Sequence, residues 1–194
     1  MNFKTQHKLT IGLTGNILCG KSAVLAAWKK AGAFVLSCDD LVREISVRPA
    51  MQLQIQKIFG RASREQLAAH IFADEGLRKQ LEGILHPALS REIKKRLVAS
   101  TARVRVVEVP LLFEVNWQAA FDLTVAVVAD EKVLAARAVK RGIKKADFLK
   151  RYRTQLPQQV KATRADICIV NEGTLMQLNH KISALQQALE TIYS

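Results

Sequence analysis

Apolar residues are distributed along this chain in two rhythms. Short, nearly continuous apolar runs fall at 9–14, 33–37, 103–109, 122–128 and 166–170. Their length and β-branched content predict five strands, each buried on both faces as in a parallel sheet. Elsewhere the apolar positions recur at intervals of three and four. Leu175, Leu178, Ile182, Leu185, Leu189 and Ile192 form a last amphipathic helix in this way, whereas the apolar run 23–28 reads as a helix from its place after the first strand and its loop. The longest helical stretch, 41–100, carries Leu53, Ile55, Ile58 and Phe59, then Leu67, Ile71 and Phe72, then Leu77, Leu81, Ile84 and Leu85, with breaks expected at Pro49, Gly60 and Pro87. A parallel crossover needs only a dozen or so residues, so this stretch predicts a helical subdomain inserted into one α/β domain spanning 1–194. Alternation of strands and helices predicts three layers, α/β/α, with ligands bound beyond the C-terminal strand ends.

The segment joining the first strand to the first helix sharpens this picture. Gly15-Asn16-Ile17-Leu18-Cys19-Gly20-Lys21-Ser22 satisfies G-x-x-x-x-G-K-[ST] at every required position. In a strand–loop–helix context, the loop amides and the positive helix end make a concave site for phosphate oxygens. Residues 15–23, ending at Ala23, are therefore the candidate ATP-binding set. Lys21 is expected on the β/γ-phosphates, and the Ser22 hydroxyl on a bridging Mg2+. The competing reading is a glycine turn before an ordinary helix with an exposed lysine.

Composition narrows the setting. No apolar run approaches the roughly 20 residues of a membrane span and the N-terminus lacks a signal-like segment, so a cytoplasmic protein without membrane attachment is the expectation. Three cysteines, Cys19, Cys38 and Cys168, are an odd number without C-x-x-C spacing, which argues against disulfides and zinc. They read as reduced fillers, with Cys19 set apart because a thiol among phosphate-binding amides and Lys21 favours a lowered pKa. The net charge of +13 is local: 131–164 holds eleven Lys/Arg against two acids. A solvated helix face or a phosphate-rich small ligand explains that run, and sparse aromatics argue against nucleic acid.

These residues together resemble the dephospho-coenzyme A kinases, across nearly the whole chain. The marks are Gly12-Leu13-Thr14-Gly15, Asp39 after strand two, Arg64 with Leu67 and Phe72, His86-Pro87 and, most distinctive, Pro110-Leu111-Leu112-Phe113-Glu114. Arg137, Arg141, Arg151, Gln155, Lys161, Ala165-Asp166, Asn171 and Gly173 follow in the family's order. The resemblance implies a P-loop kinase with ATP and Mg2+ as cofactors and dephospho-CoA as substrate, in which 41–100 binds substrate and 131–164 is a basic lid. It implies substrate contacts from Asp39, Arg64, His86, Pro110, Leu111, Glu114, Gln155 and Lys161. The chain departs from the family's G-G-I-G-S-G-K-S-T loop at Asn16, Leu18, Cys19 and Ala23, keeps only the second acid of its D-A-D as Asp39, and has Leu134 for a Gln. Asn16 tolerates positive φ, whereas Leu18 is expected to crowd the phosphates.

Each role has a plainer rival. Asp39 is the candidate general base or an N-cap for a helix starting near Leu41. Glu108 and Glu114 are rival acids. Arg137 and Arg141, one helical turn apart, are candidates for catalysis at the transferred phosphate, or they form a solvated surface. His86 contacts substrate or occupies a helix boundary before Pro87. Lys161 and Arg164 bind adenine-ribose-phosphate or solvate their helix. Against the kinase stand another small-molecule P-loop kinase and a non-catalytic nucleotide- or RNA-binding relative.

Overall fold

The computed structural model describes residues 1–4, 8–60, 66 and 74–193. Five strands, β1 (Leu9–Gly15), β2 (Phe34–Ser37), β3 (Val104–Glu108), β4 (Leu123–Val128) and β5 (Ile167–Val170), form one parallel sheet in the order β2-β3-β1-β4-β5. All seven residues of β1 and all five of β3 are buried. Successive side chains point to opposite faces, so these central strands are covered on both sides by helices. The register aligns the strand exits: Leu13 lies opposite Glu108 and Gly15 opposite Val127, while Val109 donates to the Leu13 carbonyl (2.8 Å) and Asn171 to that of Val128 (2.9 Å).

The described helices are α1 (Lys21–Lys30), α2 (Cys38–Ser46), α3 (Pro49–Phe59), α4 (Glu75–Ala99), α5 (Glu131–Lys140), α6 (Lys145–Arg153), α7 (Gln158–Arg164) and α8 (Leu175–Ile192). The chain divides into two compact units, Met1–Ser37 with Leu97–Ser194, and Cys38–Arg96. In the first, α1 and α8 are joined by Gln186, whose Nε2 donates to the Ala31 carbonyl at 2.8 Å. Trp28, Ile11, Val106, Val125, Leu134 and Ile182 are fully buried in its core. Leu134 and Ala138 of α5 and Phe148 of α6 share that core, so the basic segment is amphipathic. In the second unit, Glu44 and Glu92 each pair with both Arg48 and Arg96, tying α2 to α3 and α4. Hydrogen bonds from these arginines hold both carboxyls below the usual carboxylate range.

Two boundary expectations are corrected. Pro87 does not break the chain: α4 runs through it from Glu75 to Ala99, and His86 is mid-helix. Proline removes one backbone bond there, but Leu81, Leu89 and Ile93, buried at helical spacing, hold the turns on either side. The helix expected near Leu41 begins at Cys38, which puts Asp39 in its first turn rather than at its cap. Arg64, Leu67, Ile71 and Phe72 lie outside the described residues. No helix among the described residues is long and apolar enough to cross a membrane.

Glycine at position 12 is demanded by packing in the centre of β1. A Cβ there would meet Phe121 Cδ2 at 2.8 Å and Leu112 Cδ2 at 3.2 Å. Gly12→Ala is expected to destabilise the protein by about 1–3 kcal/mol through overpacking. Urea unfolding should show a lower midpoint at unchanged slope; an unchanged midpoint would mean that the Phe121 ring yields freely.

Candidate active site

The exits of β1, β3, β4 and β5 lie at one end of the sheet, and the segment after β1 is fastened there by its neighbours. Gly15 leaves the strand at φ 147° beside the Val127 carbonyl and Cys19 Sγ, so no larger residue fits. Asn16 is buried, and its Nδ2 donates to the Leu156 carbonyl at 3.0 Å. The Ile17 amide donates to Gln155 Oε1 at 2.8 Å. Leu18 takes the left-handed conformation, φ 66°, and its side chain is buried in the core. The expectation that Leu18 crowds bound phosphate is thus corrected: positive φ turns its side chain inward beneath the loop.

Two carbonyls close the turn. Arg137, on α5, donates from Nη1 to the carbonyls of Leu18 (3.0 Å) and Cys19 (3.1 Å), and from Nη2 to that of Asn171 (2.8 Å). Asn171, buried just beyond β5, adds an Nδ2 bond to the Cys19 carbonyl at 2.9 Å. Gly20, at φ 97°, has no room for a Cβ because Asn171 Nδ2 occupies it. Then α1 begins, with the Lys21 ammonium on the Asn16 carbonyl at 3.1 Å and Ser22 exposed. Ala23 donates its amide to the Gly20 carbonyl at 3.0 Å. The Lys21 amide faces the Cys19 thiol, and the amides of Leu18, Gly20 and Ser22 have no acceptor among the described residues, which leaves the helix start able to receive anion oxygens.

Cys19 itself is fully buried, and burial pushes its thiol up against the opposing pull of Lys21. The reactive, low-pKa thiol expected from the positive surroundings is therefore corrected, because desolvation outweighs charge.

A second cluster follows β3. The Pro110 carbonyl accepts from Thr14 Oγ1 and from Lys161 Nζ, both at 3.0 Å. Lys161 is completely buried and pairs with Glu114 Oε1 at 2.8 Å, so it does not solvate α7. The same Glu114 oxygen accepts from the Leu156 amide at 3.0 Å. Leu112 and Phe113 are buried, Leu111 is partly exposed, and the exposed Arg164 lies over the Phe113 ring at 4.8 Å. Glu114 and Asn16 thus hold the amide and carbonyl of Leu156, and Gln155 holds Ile17: residues 155–156 are strapped to the loop.

The structure brings together Gly15 to Ser22, Pro110, Glu114, Arg137, Gln155 and Lys161. Arg141, one turn beyond Arg137, is exposed at the end of α5. Asp39 is exposed in α2, and the partly buried His86 belongs to α4; both lie in the other unit. Glu108 is buried. The sequence gives Asn171 no chemical role, although its place directly after the fifth strand signals the same end of the sheet.

Comparison with known proteins places this geometry in context. The dephospho-CoA kinase family model matches residues 9–177. A dephospho-CoA kinase of Aquifex aeolicus is 33% identical over 190 residues, covering 92% of this chain and 96% of the relative. One from Anaeromyxobacter dehalogenans is 36% identical over 189 residues, covering 90% and 89%. A crystal structure from Thermus thermophilus aligns with a TM-score of 0.85 at 32% identity, covering 95% and 99%.

Burial lowers the Lys161 pKa, and the hydrogen bond and charge of Glu114 oppose that shift. Removing Glu114 deletes the opposition and leaves an uncompensated buried cation. Glu114→Gln is expected to cost on the order of 3 kcal/mol at neutral pH. A lysine with a depressed folded pKa binds fewer protons folded than unfolded, so this loss should shrink as pH rises toward the ordinary lysine range. The double variant Glu114→Leu with Lys161→Met should regain much of it. Urea unfolding at neutral and alkaline pH checks both; a pH-independent loss would mean that the pair carries no buried charge.

Proposed function

The chain belongs to the dephospho-CoA kinase family, and we propose that it transfers the γ-phosphate of ATP to the ribose 3′-hydroxyl of dephospho-CoA, giving CoA and ADP. The observation that carries this reading is the fastened loop, with free amides and Lys21 at the start of α1, inside a chain matched from residue 9 to residue 177. Loop amides hold the phosphates, and the Lys21 ammonium neutralises their charge. Ser22 offers a hydroxyl of suitable chemistry for a magnesium ion, whose contribution when bound is to offset charge on the β- and γ-phosphates.

Transfer forms a bond from the ribose oxygen to the γ-phosphorus and breaks the bond to the β–γ bridging oxygen, so that ADP leaves. Asp39, two residues beyond β2, is assigned as the base that takes the hydroxyl proton. Arg137 braces the loop and adds positive charge behind the phosphates, whereas Arg141, exposed one turn later, is assigned to the transferring group. Substrate recognition is assigned to Arg64, His86, Pro110, Leu111, Glu114, Gln155 and Lys161.

ADP release in a coupled assay, with dephospho-CoA, adenosine and a nucleoside monophosphate supplied in parallel, tests the acceptor. Turnover is expected with dephospho-CoA, and faster turnover with either rival would overturn the assignment. In the same assay Asp39→Asn should lower kcat by about 10²–10⁴ with little change in ATP affinity. Normal kcat would remove the base role, and a large loss of magnesium-nucleotide affinity would move Asp39 to the metal's surroundings.

A further inference from the structure

Peptide planarity gives Asn171 a reach beyond its own contacts. The carbonyl of Cys19 and the amide of Gly20 belong to one trans peptide, so fixing the direction of the oxygen fixes the opposite direction for the N–H. That oxygen is held by two donors from different elements, Arg137 Nη1 at 3.1 Å and Asn171 Nδ2 at 2.9 Å. The Gly20 amide on the other side has no acceptor among the described residues. Asn171 is buried, its own carbonyl accepts from Arg137 Nη2 at 2.8 Å, and its amide donates to the Val128 carbonyl at the exit of β4. Backbone bonds on both sides therefore lock the residue whose side chain aims the peptide. The fit is close enough that a Cβ on Gly20 would collide with Nδ2.

We propose that Asn171 is a positioning residue for nucleotide: through the Cys19–Gly20 peptide its side chain aims the Gly20 amide at a phosphate oxygen, and through its carbonyl it sets Arg137 on the loop. The inference rests on the phosphate-loop reading above. It assigns the turn after β5 to nucleotide affinity, leaving acceptor recognition to other parts of the chain. Asn171 touches no phosphate itself, so the effect of removing it is transmitted through one peptide plane. A loop with glycines at 16 and 18 would have other ways to reach this shape, but here Asn16 and Leu18 restrict it and the side-chain fastening sets the final orientation.

The test is direct binding of ATP, measured calorimetrically without an acceptor, with Lys21→Ala as the control that the loop is the site. Asn171→Ala removes one neutral hydrogen bond and is expected to weaken ATP binding by about 3–10-fold. Dephospho-CoA affinity should be unchanged, and KM for ATP should rise with little change in kcat. Asn171→Asp keeps the shape but sets an acceptor against the Cys19 carbonyl, so its loss should exceed that of the alanine variant; this isostere gives the same readout where the alanine variant does not fold. ATP binding unchanged in both variants, or weakening equal for ATP and dephospho-CoA, would overturn the proposal. Loss of ATP binding in Lys21→Ala, together with unchanged binding in the Asn171 variants, would leave the loop reading standing and reject the positioning role alone.

Discussion

The Cys19 carbonyl is the atom on which the loop's shape depends. A phosphate cradle needs its amides on the concave side, and because each amide shares a plane with the preceding carbonyl, those carbonyls must be satisfied on the convex side. Here the convex side is protein. Arg137 reaches it from α5 and Asn171 from the end of β5, while Leu18 is buried beneath it. Glycine would normally supply the unusual backbone angles; this chain instead places a leucine at φ 66° and offsets the strain with burial and hydrogen bonds.

The same economy governs the basic segment. Its cations divide into an exposed set, which includes Lys140, Arg141, Lys144 and Lys150, and two that are drawn inward, Arg137 to the loop carbonyls and Lys161 to Glu114 and the Pro110 carbonyl. Leu134, Ala138 and Phe148 anchor the helices that carry them. Strapping of 155–156 to Asn16, Ile17 and Glu114 then makes the loop's shape and the docking of these helices parts of one network. A change in one should be felt in the other.

Much of this was legible in the sequence because it is local. Five apolar runs marked the strands to within a residue or two, and the spacing from Gly15 to Ser22 marked the loop. The failures share a cause, which is that burial depends on the whole fold. Pro87 obeys its local rule in isolation but is overridden by the packed turns around it. Leu18 looked obstructive because its side-chain direction follows from a φ that composition does not reveal. The charged neighbours of Cys19 imply a lowered pKa, yet desolvation dominates its thiol. In a run of basic residues the family resemblance sets Lys161 apart, but its charge pattern does not reveal its burial, and only the return of the chain past Glu114 makes it a buried partner.

If side-chain fastening shapes the loop before nucleotide arrives, the backbone amides of residues 16–20 should be ordered in the ligand-free protein. Nitrogen-15 relaxation of the free enzyme measures this directly. The account predicts order parameters for those amides near 0.85, about equal to those of β1. Values below about 0.6 that rise only on adding ATP would contradict it, because nucleotide rather than Arg137 and Asn171 would then be imposing the shape.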